Sequence, residues 1–386
     1  MQPFDIQQRT RLVFGDGSLR RLGALANELA SGTVLVVSDP GLIQAGHFDR
    51  AVESLRESGW QVESFHEFAE NPTSDMIDAG VRHAATVQPN LLVGLGGGSS
   101  MDCCKGINFV YSCGGRIHDY HGVGKATTDM LPMIAIPTTS GTGSEAQSFA
   151  LVSDAETHTK MACGDARAAA KIAILDPELT LTQPASVTAL TGIDAISHAI
   201  ETYVSKRRNA MSITYSRRAF GLLASAFSQV LADPDDRDAR TSMQLGACLA
   251  GMSIETSMLG AAHATANPLT ARHDIVHGQA VGLMLPAVIR FNGTKHADWY
   301  TELAREAEPS IEPSDAPEYL ATRVEGWMRE AGLATSMEEL AIPASGIDTF
   351  VEDALKQWTG TFNPIPLDPQ RATHLYESVL QSSKVA

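Results

Sequence analysis

Three histidines lie close together in the segment HATANPLTARHDIVHG, residues 263–278 of a chain with 12 histidines in all. Imidazole nitrogens bind divalent transition metals, so His263, His273 and His277 are candidate metal ligands. His273 and His277 are four residues apart, as partners on one helix face would be. Pro268 is expected to break or start a helix between His263 and that pair. The spacing alone does not select two of the three.

A second segment, GIDAISHAIE at 192–201, places a carboxylate and an imidazole on one side of a predicted helix. Asp194 and His198 are four residues apart, close enough to bind one ion. Such a pair is often only a surface ion pair, but this helix is apolar nearly all round, which predicts burial. A buried carboxylate needs a cation or hydrogen-bond donors. One carboxylate with three histidines would suit Fe²⁺ or Zn²⁺.

Two polar turns that follow apolar strands are candidate phosphate-binding loops. GLGGGSSMD (94–102) opens a predicted helix, where backbone N–H groups and the helix dipole can receive a phosphate and glycine keeps the approach open. PTTSGTGSE (137–145) offers threonine hydroxyls and two glycines. The first turn does not match the GxGxxG or Walker pattern, so a plain tight turn remains its alternative. For the second, the alternative is a connecting loop rich in serine and threonine.

Asp39 ends the apolar run TVLVVSD (33–39). An acidic residue at the end of a strand can accept hydrogen bonds from an adenosine ribose, which favours NAD over NADP. In the usual dinucleotide-binding order, however, that acid follows the glycine-rich turn, whereas Asp39 precedes it. The competing interpretation is therefore that Asp39 caps a helix.

The elements that must position these residues change in character along the chain. Up to about residue 180, short apolar runs alternate with helical patterns, which is typical of a parallel sheet with crossover helices. After DPELT (176–180), apolar residues recur at three- and four-residue spacing, which indicates helices. The sequence predicts an α/β domain with a mainly parallel sheet over residues 1–180 and an all-α domain over 181–386.

Length and composition restrict the class of protein. A chain of 386 residues suits two domains of ordinary size. The net charge of -16, without a Lys/Arg-rich stripe, argues against nucleic acid as a partner. The cysteines lack metal-site or disulfide spacing. No apolar run reaches the roughly 18 residues of a membrane helix, and no signal sequence is evident. A cytoplasmic protein without membrane contact is predicted.

Five segments follow one another along the chain: GGGSSMD, PTTSGTGSE, DPELT, GIDAISHAIE and HATANPLTARHDIVHG. In this order and spacing they resemble the motifs of the iron-containing (group III) alcohol dehydrogenase family, whose fold is like that of dehydroquinate synthase. The resemblance covers essentially the whole chain. It implies a Rossmann-like α/β domain that binds NAD, a helical domain that binds metal, and an active site in the cleft between them.

The resemblance also assigns cofactors and residues. It implies NAD and one divalent metal per chain, with Fe²⁺ as the first choice and Zn²⁺ as the second. The implied metal ligands are Asp194, His198, His263 and His277. The implied NAD-binding positions are Asp39, Asn71, Gly97, Gly98, Ser99, Thr138, Thr139, Thr142, Lys160 and Leu179. Many members have a further histidine where this chain has Asn267, so His273 is either a substitute catalytic acid/base or a residue that only lines the cleft.

The implied function is NAD-linked interconversion of a small alcohol or diol and its aldehyde or ketone. A homo-oligomer, a dimer or larger, is expected because similar proteins commonly form one. Two other enzymes remain alternatives: a metal- and NAD-dependent lyase resembling dehydroquinate synthase, and a metal-free reductase resembling maleylacetate reductase. A catalytically silent scaffold that retains the fold is the alternative outside enzymes.

Overall fold

The structure, a computed structural model, describes residues 2–157 and 159–381. Gln7–Gln183 forms one compact unit, and the chain from Pro184 onward forms another, which also includes the segment before Gln7. Gln2 in that leading segment donates a hydrogen bond from its side chain to the Lys206 carbonyl oxygen at 3.4 Å. The first unit is α/β with a parallel sheet and the second is helical, which confirms the predicted fold class.

The first unit contains the strands of the described chain. They are β1 (Arg11–Phe14), β2 (Thr33–Ser38), β3 (Gln61–Phe65), β4 (Leu91–Gly96), β5 (Gly122–Val123), β6 (Met133–Pro137), β7 (Phe149–Ser153), β8 (Lys160–Gly164) and β9 (Ile172–Leu175). Its helices are α1 (Leu22–Asn27), α2 (Pro40–Gln44), α3 (His47–Glu57), α4 (Ser74–Val87) and α5 (Gly98–Cys113).

Six of the strands form a parallel sheet in the order β1-β9-β6-β4-β2-β3. Both faces of this sheet are buried, because alternate residues of β2 join separate apolar cores. Val34 and Val36 pack in one core, and Leu35 and Val37 pack in the other. Burial on both faces explains why the strands read as continuous apolar runs.

The strand order reverses beside β2. The chain moves outward from β2 to β3, then returns to place β4 on the other side of β2 and continues through β6 to β9. Open α/β sheets bind ligands outside the carboxyl ends of the strands at such a reversal. Asp39 directly follows β2, Gly97 follows β4 and Thr138 follows β6, so three of the predicted cofactor positions lie at this edge.

A second, smaller sheet was not predicted from the sequence. Its order is β5-β8-β7, with β7 and β8 antiparallel and β5 parallel to β8. Strand β5 has only two residues, and β7 alternates between buried and exposed positions. These strands therefore lack the long apolar runs that marked the main sheet. Lys160, the first residue of β8, pairs with Ser153 of β7.

The second unit packs its helices around one extended apolar core. They are α6 (Ala185–Val204), α7 (Ala210–Ala232), α8 (Arg237–Thr256), α9 (Ala261–His273), α10 (His277–Ala304), α11 (Ala316–Glu330), α12 (Ile347–Lys356) and α13 (Pro369–Ser378). Among the described residues, no single helix has the length and composition of a membrane span. Only α8 and α9 taken together reach that length and composition, and they are bent by 104° where they meet.

Two expectations about the histidine-rich segment are wrong. Pro268 does not break or start a helix, because α9 continues through it. A proline inside a helix costs about 3 kcal/mol, and the buried face of α9 offsets that cost through tertiary packing. His273 and His277 do not share a helix face, because His273 ends α9, Asp274 turns the chain with a φ of 53°, and His277 begins α10.

Candidate functional site

Asp39 at the end of β2 uses both carboxylate oxygens within the first unit. One oxygen accepts a hydrogen bond from the Gly41 backbone N–H at 3.0 Å and so caps α2, which confirms the competing interpretation of this residue. The other accepts from the Ser100 hydroxyl at 3.3 Å, on the first turn of α5. Asp39 therefore caps α2 and is also linked, through Ser100, to the glycine-rich turn.

The glycine-rich turn after β4 packs tightly against the loop after β6. A Cβ atom at Gly97 would lie 3.3 Å from the Thr139 methyl group, and one at Gly98 would lie 2.7 Å from the Thr142 methyl group. Gly97 is the N-cap of α5, and no side chain caps this end of the helix. Exposed backbone N–H groups at the start of a 16-residue helix can bind a phosphate, and glycine keeps them accessible.

Three further predicted cofactor residues meet although they come from separate elements. The Asn71 backbone N–H donates to the Ser99 hydroxyl at 3.2 Å, and the Lys160 ammonium donates to the Asn71 side-chain oxygen at 3.4 Å. Asn71 has a φ of 54°, in the left-handed region that asparagine tolerates better than most residues. A lysine charge beside the N-terminal turn of α5 strengthens the case for an anionic ligand.

Thr138 and Leu179 are less available to a ligand than the other predicted positions. Thr138 is 4% exposed, and its backbone N–H is used in a hydrogen bond to the Gly96 carbonyl oxygen. Leu179 is 0% exposed, and its side chain packs in an apolar core of the sheet. The Leu179 side chain is therefore not available to a cofactor, and its backbone N–H already donates to the Asp176 carbonyl oxygen at 3.0 Å.

The second unit brings the four predicted metal ligands together from three helices. α6 carries Asp194 and His198, α9 carries His263 in its first turn, and α10 begins with His277. Each histidine directs Nε2 at the same oxygen, Asp194 Oδ1, and the Nε2 atoms of His198, His263 and His277 lie 3.3, 3.6 and 3.8 Å from it respectively. Two bonds of about 2.1 Å to one tetrahedral ion separate their ligand atoms by about 3.4 Å. The ligand atoms of Asp194, His263 and His277 all lie within 4.8 Å of one another, which fits one metal ion, and His198 Nε2 adjoins this group through Asp194.

A glycine allows α10 to bring His277 to the cluster. Gly278 follows His277, and a Cβ atom at this position would overlap the carbonyl oxygen of Leu190 in α6. Only glycine permits the two helices to approach so closely. The sequence motif therefore contains a packing residue directly beside a predicted ligand.

The charges of the cluster fit a cation. Asp194 is 4% exposed, and its Oδ1 atom and His263 Nε2 are buried without a hydrogen-bond partner among the described residues. Burial alone would raise the pKa of Asp194, but the rings of His198, His263 and His277 outweigh it and hold this pKa below its ordinary value. An ionised buried carboxylate surrounded by imidazole nitrogens is a suitable site for Fe²⁺ or Zn²⁺.

His273, the predicted acid/base residue, lies away from this cluster along α9. His263 and His273 are ten residues apart in one helix, a rise of about 15 Å. The His273 ring is half-buried and packs edge-on against Phe350, with 5.4 Å between ring centroids. Asn267, one helical turn after His263, donates its amide to the Gln357 side-chain oxygen at 2.9 Å.

Glu201 was not among the predicted site residues, and the structure places it against a predicted ligand. Its carboxylate is buried and contacts His263 Nδ1. The available signal was an acidic residue three positions after His198, inside the apolar run of GIDAISHAIETYV. A charge at that position of a buried helix requires a partner, as the charge of Asp194 does.

Comparisons with known proteins agree with this geometry. A family model described as iron-containing alcohol dehydrogenase matches residues 9–177, and the C-terminal model of the same family matches residues 188–380. Choline dehydrogenase of Bacillus subtilis is 32% identical over 95% of this chain and 93% of its own length. NAD-dependent methanol dehydrogenase of Bacillus methanolicus is 29% identical over 91% of this chain and 93% of its own.

The fold agrees as well. The crystal structure of a 1,3-propanediol oxidoreductase superimposes with a TM-score of 0.95 at 28% identity, covering 98% of this chain and 100% of that one. These matches confirm the family resemblance and favour an alcohol dehydrogenase over the lyase, the metal-free reductase and the silent scaffold. The chain belongs to the iron-containing alcohol dehydrogenase family and is a metal-dependent alcohol dehydrogenase.

Proposed function

We propose that this enzyme uses NAD and one divalent metal, Fe²⁺ in preference to Zn²⁺, to interconvert a small alcohol or diol and its aldehyde or ketone. The observation that carries the proposal is the convergence of three histidine Nε2 atoms on Asp194 Oδ1. The relatives support the substrate class, because their names specify methanol, choline and 1,3-propanediol, all small hydroxyl compounds. One of those names also specifies NAD.

In this proposal the metal is held by Asp194, His198, His263 and His277. A bound divalent metal supplies Lewis acidity, which lowers the pKa of an alcohol and favours its deprotonated form. Asp194 contributes a full negative charge, which favours a cation among neutral imidazoles. The buried side chains exclude water from most of the cluster, and a dry site strengthens every electrostatic interaction within it.

We assign NAD to the first unit and the metal to the second, as the predicted domains 1–180 and 181–386 imply. The N-terminus of α5, opened by Gly97 and Gly98, would bind the cofactor phosphates. Ser99, Asn71 and Lys160 would add polar and positive groups, and Asp39 would accept from the adenosine ribose. The hydroxyls of the loop after β6 would contribute further hydrogen bonds, from Thr138, Thr139 and Thr142.

We further propose that the enzyme is a cytoplasmic homo-oligomer that binds neither nucleic acid nor membranes. The net charge of -16 opposes binding to polyanions. The five cysteines are free thiols, as expected in a reducing compartment. Light scattering of the purified chain would give the number of subunits, and a monomer would contradict this part of the proposal.

Metal removal tests the proposed function directly. We expect the chain purified without chelator to contain one metal ion per chain and to reduce NAD with at least one member of an alcohol and diol panel. Chelator treatment is expected to abolish turnover, and Fe²⁺ or Zn²⁺ is expected to restore it. Full activity in the metal-free chain, measured by NADH absorbance beside elemental analysis, would overturn the proposal.

The predicted catalytic residue His273 is tested by His273→Phe. We expect this variant to retain one metal ion per chain, because the His273 ring contacts Phe350 and a phenyl ring fills similar space. Elemental analysis checks the stoichiometry, and a metal-free product would move His273 into the ligand set. A fall in kcat of about 100-fold or more would support an acid/base role, whereas an unchanged kcat would leave His273 as a packing residue.

A further inference from the structure

Glu201 extends the polar face of α6 that carries two of the proposed metal ligands. Asp194, His198 and Glu201 follow one another at four- and three-residue spacing, so they lie along one side of the helix. Glu201 is 2% exposed. A carboxylate buried this deeply is costly unless donors satisfy both of its oxygens.

Both oxygens of Glu201 are used at the first turn of α9. Oε1 accepts a hydrogen bond from the Ala262 backbone N–H at 2.6 Å, and Oε2 contacts Nδ1 of the His263 ring. The start of α9 has no capping side chain of its own, since Gly260 is its N-cap. A negative charge at this position also matches the helix dipole.

Gly260 leaves the space that the carboxylate occupies. A Cβ atom at Gly260 would lie 3.0 Å from Glu201 Oε1 and 3.1 Å from the side-chain oxygen of Asn363. Asn363 in turn accepts from the Ala261 backbone N–H at 3.3 Å. The first two backbone donors of α9 are therefore satisfied by side chains of other elements.

The contact with Nδ1 decides which nitrogen of His263 is available. An ionised carboxylate can only accept hydrogen bonds, so Nδ1 must carry the proton. Nε2 then presents a lone pair, and this is the atom that lies 3.6 Å from Asp194 Oδ1. A hydrogen bond at one ring nitrogen fixes the tautomer and the ring orientation of a histidine that binds metal through the other.

We propose that Glu201 is a positioning residue that holds His263 in the tautomer able to bind the metal and thereby sets the metal affinity of the enzyme. This inference rests on the proposed function, because it presumes that His263 is a ligand. Glu201 does not itself enter the ligand set, because its oxygens are turned toward α9 and occupied there.

Glu201→Gln tests the inference with little change of shape. The amide has one acceptor, but two donors face it, Ala262 N–H and His263 Nδ1–H. If its oxygen keeps the bond to Ala262, its NH₂ group faces Nδ1 and favours the tautomer with the proton on Nε2, where the metal would bind. We expect the Kd for Zn²⁺ to rise by about 10- to 100-fold.

The measurement is a Zn²⁺ titration of the chelator-stripped full chain against a chromophoric competitor. Thr265→Val is the matched control, because it removes a buried hydroxyl of α9 that bonds only backbone carbonyl oxygens. It should keep the wild-type Kd. An equal loss of affinity in both variants would show that general disturbance of α9, and not the contact with His263, is responsible.

A second variant covers the case in which Glu201→Gln does not fold. Gly260→Ala leaves Glu201 and His263 chemically unchanged but crowds the carboxylate, and we expect a several-fold weaker Zn²⁺ affinity with an unchanged circular dichroism spectrum. If Glu201→Gln folds and binds Zn²⁺ with wild-type affinity, the inference is overturned. If only Gly260→Ala folds, wild-type Zn²⁺ affinity in that variant overturns it. Failure of the wild-type chain to bind Zn²⁺ or Fe²⁺ would instead overturn the proposed function.

Discussion

Replacing His263 with alanine is expected to remove both the metal and the turnover of this enzyme. His263 is buried, and its Nε2 lies 3.6 Å from Asp194 Oδ1. The centroid of its ring lies 4.9 Å from that of His198 and 5.3 Å from that of His277. Alanine has no atom that can bind a metal, so the cluster loses one of its four proposed ligands. Because a catalytic metal contributes several kcal/mol to the transition state, kcat should fall on the order of 10³-fold or more.

Elemental analysis and the NAD-linked assay check this prediction together. The cofactor loops belong to the other unit, so NADH binding measured by fluorescence should survive and serves as the control for folding. For metal content alone, His273→Phe is the matched histidine control from the other end of α9. A His263→Ala chain that keeps one metal ion and the wild-type rate would disprove the ligand assignment.

Replacing Gly98 with alanine is expected to have the second-largest effect, this time on the cofactor. The new Cβ atom would lie 2.7 Å from the Thr142 methyl group and would also stand at the N-terminus of α5, where we propose that phosphate binds. The turn is expected to shift to relieve this crowding, so that restoring the geometry that binds phosphate costs about 1–3 kcal/mol, which corresponds to roughly a 5- to 150-fold weaker Kd for NADH. Fluorescence titration measures this Kd, and the metal content should stay at one per chain.

A double variant separates packing from binding at this position. Thr142→Ser removes the methyl group that the new Cβ atom would meet at 2.7 Å, which is the closest contact, and keeps the hydroxyl oxygen at 3.0 Å. If the alanine acts by blocking the approach of the phosphate, Gly98→Ala with Thr142→Ser should bind NADH as poorly as Gly98→Ala alone. Recovery of wild-type affinity would mean that Gly98 serves only to pack two loops.

The main sheet and the principal helices could be predicted from local patterns because each pattern is set by burial of that element. Runs such as TVLVVSD are apolar throughout since both faces of the sheet are covered. The pairing of β7 with β8 could not be predicted in this way, because β7 is only partly buried and its partner strand is set by the tertiary fold. Pro268 does not interrupt α9, because tertiary packing of that helix outweighs the local preference of proline.

The sequence by itself determined the chemistry that this protein can perform. The four-residue spacing of Asp194 and His198 in an apolar helix predicted a buried carboxylate with an imidazole beside it, and the glycine-rich turn predicted an accessible helix N-terminus. These features depend on neighbours within one element, where the helical period fixes geometry. The family resemblance then named the remaining ligands.

Only the tertiary structure decided which side chains meet. Residue spacing left three histidines open, and the approach of α10 to α6, made possible by Gly278, brings His277 to the cluster while His273 stays at the end of α9. The contact of Glu201 with His263 was equally hidden, because the two residues are 62 positions apart in sequence and lie on different helices. Contacts of this kind depend on how whole elements pack, and no local period of the sequence records that packing.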